Sequence, residues 1–494
     1  MQALQLGLPT LLLIAAYLAG INLLGARLGR GQKDARDYFL GSHAMPWGAV
    51  LASIVATETS ALTFLSVPGD AYSSGYTFLQ LVLGYVVGRI AVAGILLSGY
   101  FEREYPTAYA LLEARFGVRA RRFTSLLFMV TRVLAAAVRL AVPAIPIALL
   151  LGIPVWAAIL LLACGTALYT LLGGLKAVIW IDLIQVFLYL SGAAIALAVL
   201  LSRVPGGLSG AFAAHAAAGE PVRFFDFRFD LSLPYTFWSG VLGGAFLTMA
   251  THGADQLIVQ RLLACRSLGD ARRALVGSGF LVFAQMALFT TIGVLLFAFF
   301  GGRRFDSPDA IFPTFLVKDL PPLLSAYLVA GIFSAAMCSE SSALNSLASA
   351  LALDVVGPRS GRGALEGRSG LRLGRALTVF WTVVLAGLSV GFSLLPRTQP
   401  AVQVALGLAS VTAGGLLGAF LLARYAMRAT ESDVLWAIGL STTAVFLLWL
   451  GGRGWAPVAL GRRIAWPWYS LIGCALAVGV GFGLSLRHAR PRPG

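Results

Sequence analysis

A chain of 494 residues that is 58% hydrophobic and only 12% charged lies far from the soluble average of about a quarter charged, which excludes an ordinary soluble globular protein. Its 37 Lys and Arg against 21 Asp and Glu, a net charge of +16, raise a polyanionic partner as one reading. The distribution of the basic residues along the chain excludes nucleic acid and points to a lipid bilayer instead.

Apolar stretches of about 18 residues or more, long enough to cross a hydrocarbon core as helices, recur from end to end. Thirteen are expected, near 6–28, 45–66, 76–100, 123–149, 153–173, 178–202, 235–258, 275–300, 322–352, 373–396, 401–425, 433–451 and 466–486. A β-barrel would show alternating strands of about ten residues instead. The first stretch lacks the basic start and small-residue cleavage site of a secretory signal, so it reads as a retained helix. If the uncharged MQALQ lies outside, the cytoplasmic connections, from RLGRGQKDAR (27–36) to the C-terminal tail, hold 24 of the 37 basic residues. Ten fall on the outer side, and three (Arg89, Arg132, Arg139) lie inside spans. That asymmetry predicts an inner (plasma) membrane protein with its N-terminus outside and its C-terminus in the cytoplasm.

The four cysteines lie in spans or near cytoplasmic ends without CxxC spacing, so neither a structural disulfide nor a metal cluster is expected. The expected organisation is a first helix with its loop (1–36), five spans (37–202), an outer loop (203–234), five spans (235–426), and two helices with a basic tail (427–494). Two of the spans are not plain anchors. ATETSALTFLSVPGDAYSSGY (56–76) and GGAFLTMATHGADQ (243–256) are polar or interrupted by Gly and Pro, and they fall at the second and seventh helices. Broken helices at corresponding places of two halves mark the midplane site of an inverted-repeat transporter.

The ninth span carries MCSESSALNS (337–346). At helical spacing Ala335, Cys338, Ser339, Ser342 and Ser346 share one stripe, Ser341 and Asn345 flank it, and Glu340 points nearly opposite. Small hydroxyl residues let membrane helices approach closely. They are also hard-oxygen ligands suited to a dehydrated alkali cation, and the pattern alone leaves both readings open. Asp182, a few residues into the sixth span, is costly unless paired or coordinated; a helix cap near Lys176 is the alternative. Glu58 and Glu340 need cationic partners, to be drawn from Arg89, Arg132 and Arg139, with Arg132 the first choice for Glu340. Arg139 would be left to hold an anion or to reach the interface.

Six blocks in order, DYFLGS (37–42), ATETSALTF (56–64), TAYALLEARFG (107–117), GGLKAVIWIDLIQ (173–185), DQLIVQR (255–261) and SESSALNSLASALALDV (339–355), resemble the sodium/solute symporter family. That family includes sodium/glucose, proline, iodide and sialic acid cotransporters. The resemblance implies an all-α, leucine-transporter-like fold with a five-plus-five inverted repeat. It also implies sodium as the coupling ion, one or two per cycle, with a small organic solute as cargo.

Carried over by position, the resemblance places sodium between the carbonyls of Ala56, Thr59 and Ala335 and the side chains at Cys338 and Ser339. The family usually has serine at 338, and a thiol is a poor sodium ligand. A second sodium, held in some relatives, would use Asp182, Ser341 and Ser342. Candidate solute contacts are Ser60, Thr63, Phe78, Gln80, Arg139, Thr248 and His252, although a lone histidine on an apolar helix is often a packing residue. The arginine of the sialic acid carriers falls at Ala135 here, their third-span glutamine at Val82, and the glutamine of the sodium/glucose branch at Thr63. The expected function is sodium-coupled import of a carboxylate-bearing solute by alternating access, with a sugar or polyol as the alternative cargo. No covalent chemistry is expected. A channel would need a repeated filter or charged rings, and a membrane sensor would need an attached signalling domain.

Overall fold

A computed structural model describes residues 8–41, 44–103, 105–360, 365–395, 401–452 and 464–488. The N-terminal MQALQ and the last basic residues of the tail, both used in the orientation argument, lie outside this set. The regular structure of the described chain is helical, and its β pairing is an isolated bridge between Met45 and Cys265. The long elements are α1 (Leu8–Leu28), α2 (Trp47–Glu58), α3 (Ala61–Ser74), α4 (Leu79–Ile95), α5 (Val118–Leu151), α6 (Val155–Arg203) and α7 (Gly244–Gly253). They continue with α8 (Gln256–Leu263), α9 (Leu268–Phe299), α10 (Pro322–Ala350), α11 (Gly367–Ser393), α12 (Ala401–Tyr425), α13 (Glu431–Gly452) and α14 (Trp468–Ser485).

Among the described residues, nine helices are long and apolar enough to cross a membrane, or ten if α2 and α3, bent by 62°, form one span. The expected thirteen is not reached on this criterion, and the differences are local. The expected spans 153–173 and 178–202 run together in α6, across a kink at Gly174 (φ 56°, ψ −159°). Only glycine fits there: its φ is left-handed, and an added Cβ would lie 2.5 Å from the Tyr38 carbonyl oxygen. The expected span 76–100 gives the 17-residue α4, and 235–258 gives a π-helical turn, Ser239–Gly243, followed by the ten-residue α7.

Each break has a local cause. The helix α2 ends at Thr59, whose backbone is extended (ψ 93°), and Ser60 caps α3 by accepting the Thr63 N–H at 3.4 Å. In the seventh segment, α7 stops at Ala254 and Asp255 restarts the chain by capping Leu257 N–H at 2.8 Å. Small residues then bring α7 against α4. A Cβ on Gly84 would meet the Gly240 carbonyl at 2.3 Å, and one on Gly88 the Ala245 carbonyl at 2.5 Å.

The helix α10 runs through the middle of the bundle, with Ser325–Ala326 and Leu328–Ala350 buried on every side. It packs most heavily on α6. The turn that follows it is anchored at Asp354, which accepts from Thr107 Oγ1 at 2.5 Å, Arg121 Nε at 2.7 Å and Ser125 Oγ at 2.9 Å. A buried carboxylate with three donors meets the condition under which burial of a charge is tolerated.

Candidate functional site

The termination of α2 leaves carbonyls without helical partners at the break, and α10 supplies what faces them. Cys338 Sγ lies 3.0 Å from the Ala56 carbonyl, 3.9 Å from that of Thr59 and 3.3 Å from that of Ala335. Ser339 Oγ lies beside them, donating to Ala335 O at 3.3 Å and Ala336 O at 3.1 Å. Of the five positions that the resemblance implies for the main sodium site, Ala56, Thr59 and Ala335 meet at Cys338, and Ser339 shares the Ala335 carbonyl. The chemistry is three carbonyl oxygens and one hydroxyl, with a sulfur where a fifth oxygen would be harder.

Further along α10, Ser346 and Ser349 donate back to carbonyls of their own helix, at 3.0 Å each. Ser341 and Ser342 also donate to the Cys338 carbonyl, at 3.0 and 2.7 Å. Ser342 has two further partners, Thr57 Oγ1 at 2.9 Å and the guanidinium of Arg261. Asp182, fully buried, accepts the Ser53 hydroxyl at 2.6 Å and lies 3.7 Å from Arg261. The expected second sodium site thus holds a side chain that sequence reasoning missed. Arg261 sits in the amphipathic DQLIVQR, where an arginine reads as a cytoplasmic-end charge.

On the other side of the break lies the charged cluster. Glu58 pairs with Arg89, as expected, and His252 Nε2 lies 3.2 Å from Arg89 and 3.7 Å from Glu58. Thr251 Oγ1 meets His252 Nδ1 at 3.0 Å, so both ring nitrogens are engaged. Thr59 Oγ1 accepts from Gln285 at 2.6 Å, an α9 residue that sequence reasoning also missed. Ser60 and Thr63 stay next to each other at the start of α3, their hydroxyls 3.5 Å apart. Thr248 is buried against the Gly88 backbone of α4.

Two expectations are corrected here. Arg132 does not reach Glu340; it pairs with Asp255, whose other oxygen caps α8. Glu340 is buried, and its Oε1 has no partner among the described residues. Gln80 is not free for a solute either. Its amide donates to the carbonyls of Thr77 and Tyr235, both at 3.1 Å, and its oxygen accepts the Asp226 N–H at 3.0 Å, which ties α4 to the outer loop. Phe78 packs edge-on against Tyr235 of the same region, with ring centroids 5.4 Å apart.

Arg139 is half-buried and, among the described residues, has no hydrogen bond or ion pair; Glu58, Arg132, Tyr85 and Asp255 are its ionisable neighbours. A cavity of about 20 Å³, room for roughly one water, lies between α5, α7 and α12. Arg132, Ala135, Thr251, Asp255 and Thr412 are among its walls.

With this geometry in place, comparison with known proteins is direct. The profile of the sodium:solute symporter family matches residues 38–440. The sodium/sialic acid symporter SiaT of Proteus mirabilis is 28% identical over 460 residues, covering 90% of each chain. Human sodium-coupled monocarboxylate transporter 1 is 27% identical over 446 residues, 88% of this chain and 71% of the relative. The solved substrate-bound, outward-open structure of a Na+-coupled sialic acid symporter superimposes with a TM-score of 0.87 at 26% identity, covering 98% of this chain and 99% of the other. The fold is leucine-transporter-like. A broken second helix facing a hydroxyl-rich central helix, a matching profile over most of the length and a full-length structural match have one reading: the chain belongs to the sodium:solute symporter family.

Proposed function

We propose that this protein is a sodium-coupled importer of a small carboxylate-bearing solute. The observation that supports it best is the break between α2 and α3, which presents main-chain carbonyls to α10 on one side and the Glu58 cluster on the other. One mobile element therefore serves both the ion and the solute. An ion bound between α2 and α10 favours the conformer in which they are apposed, and a solute held beside Thr59 and Ser60 favours the same one. That shared preference is the requirement for thermodynamic coupling. A membrane potential adds about 2.3 kcal/mol per charge per 100 mV.

In this reading sodium is held by the carbonyls of Ala56, Thr59 and Ala335 with Ser339, and Cys338 is the weak ligand. The solute lies among Ser60, Thr63, Thr248, His252 and Arg139, and its carboxylate is drawn to Arg139. The sodium/sialic acid and monocarboxylate symporters among the relatives carry acids, which favours this cargo over a sugar. Segments 37–202 and 235–426 are taken as the two inverted repeats, each opening with its broken helix. The outer segment 203–234 connects them, and 1–36 and 427–494 flank them. The excess of basic residues on one set of connections supports an inner-membrane location with the N-terminus outside.

The decisive experiment is uptake into proteoliposomes from a panel of labelled acids, sugars and amino acids, with sodium or potassium outside. Sodium-dependent uptake of an acid is the expected result. A sugar as the transported compound would remove the carboxylate, and equal uptake in potassium would remove the coupling. Within the ion site, Cys338→Ser is expected to lower the half-saturating sodium concentration by roughly threefold to tenfold. Ser339→Ala should raise it by a similar factor, on the scale of about 1 kcal/mol for one ligand. Unchanged sodium dependence in both variants places the ion elsewhere.

A further inference from the structure

The groups expected to hold a second sodium surround a guanidinium. Arg261 is fully buried at the cytoplasmic end of α8. Its Nε donates to Ser53 Oγ at 2.9 Å, Nη1 donates to the Leu257 carbonyl at 2.6 Å, and Nη2 donates to Ser342 Oγ. The same Nη2 lies 3.7 Å from Asp182 Oδ2. The Ser53 hydroxyl, after accepting from Arg261, donates at 2.6 Å to that same carboxylate oxygen. Thr57 meets Ser342 at 2.9 Å. Residues from α2, α6, α8 and α10 thus form one closed polar knot around one positive charge.

We propose that Arg261 is the resident cation of this second site, so that the transporter carries one sodium per cycle. The proposal rests on the sodium-symport reading above and fixes its stoichiometry. The argument is electrostatic and geometric together. Asp182 and Arg261 form a neutral buried pair, and a sodium ion added beside them would put two cations on one carboxylate in a poorly solvated interior. The guanidinium cannot readily step aside, because it is enclosed on all sides and tied to a carbonyl of its own helix. The planar fork also directs N–H groups at the oxygens of Ser53 and Ser342, where a metal ion would need lone pairs. Asp182 Oδ1 is left without a partner, but a single oxygen is a small part of the shell that must replace an alkali ion's water.

Equilibrium binding of radiolabelled sodium to the purified full-length transporter, with choline as the balancing salt, tests this without knowledge of the solute. The wild type is expected to bind one sodium per chain and Arg261→Gln two, because the variant frees Ser53, Ser342 and Asp182 for a metal. The double variant Asp182→Asn, Arg261→Gln keeps the knot uncharged and should return to one. Two sodium ions on the wild type overturn the proposal, as does one on a folded Arg261→Gln. Should Arg261→Gln fail to fold, the other two proteins decide: loss of the remaining sodium from the double variant makes Asp182 an ion ligand and overturns it. Absence of any sodium on the wild type is a different result, since it removes the symport reading itself.

Discussion

Arg89→Ala is expected to abolish sodium-driven uptake and to lower the unfolding temperature in detergent. The guanidinium is fully buried, and its loss leaves Glu58 with His252 as its nearest cationic candidate, 3.7 Å away. Breaking a buried pair from one side costs about 3–5 kcal/mol, because the remaining charge is stranded. Glu58→Gln with Arg89→Met removes both charges and keeps much of the volume, so it should recover most of the thermal stability without restoring transport. If the single variant melts like the parent, the pair is not what holds α2 against α4. If the double variant transports normally, the cluster has no part in the solute site.

The other large effect is expected at Arg139. Two arginines lie seven residues apart on the same face of α5, and their situations differ. Arg132 has Asp255, whereas Arg139 is half-buried with no ion-pair partner among the described residues. A bidentate carboxylate would satisfy the free fork. Arg139→Lys keeps the charge and loses the fork, so the half-saturating acid concentration should rise by roughly tenfold to a hundredfold, on the order of 1.4–3 kcal/mol. At saturating solute, the sodium dependence should be little changed. Unaltered acid uptake in the lysine variant would reassign Arg139 to an interfacial contact and leave the sodium site untouched.

The features read successfully from the sequence are those set by near neighbours along the chain. The break after Glu58 is legible because TETS and the Ser60 cap cannot continue an apolar helix without interruption, and the placement of Cys338 against that break follows from the helical stripe taken together with the family resemblance. What failed were pairings across the fold. Asp255 caps α8 through one oxygen and takes Arg132 through the other, so Arg132 is not available to Glu340. Arg261 looks like a peripheral charge of a short amphipathic helix until α8 is packed beneath α2 and α10. Gln80 is a polar residue in a span, and only the fold of the outer loop reveals that the Asp226 backbone occupies its oxygen. The count of thirteen spans is not confirmed by helix length alone, since the apolar runs expected at 153–173 and 178–202 form one continuous element kinked at Gly174.

Three of the five groups gathered at the proposed ion site are peptide oxygens, those of Ala56, Thr59 and Ala335. A peptide oxygen is the same in every residue, so its contribution survives any substitution that preserves the bend in the chain. Side chains around Arg139 and His252 have no such protection and can be exchanged freely by mutation. A lineage built on this plan can therefore change its cargo while inheriting its energy source. Two relatives sharing little more than a quarter of their residues with this chain are both named for sodium coupling, one with sialic acid and the other with monocarboxylates.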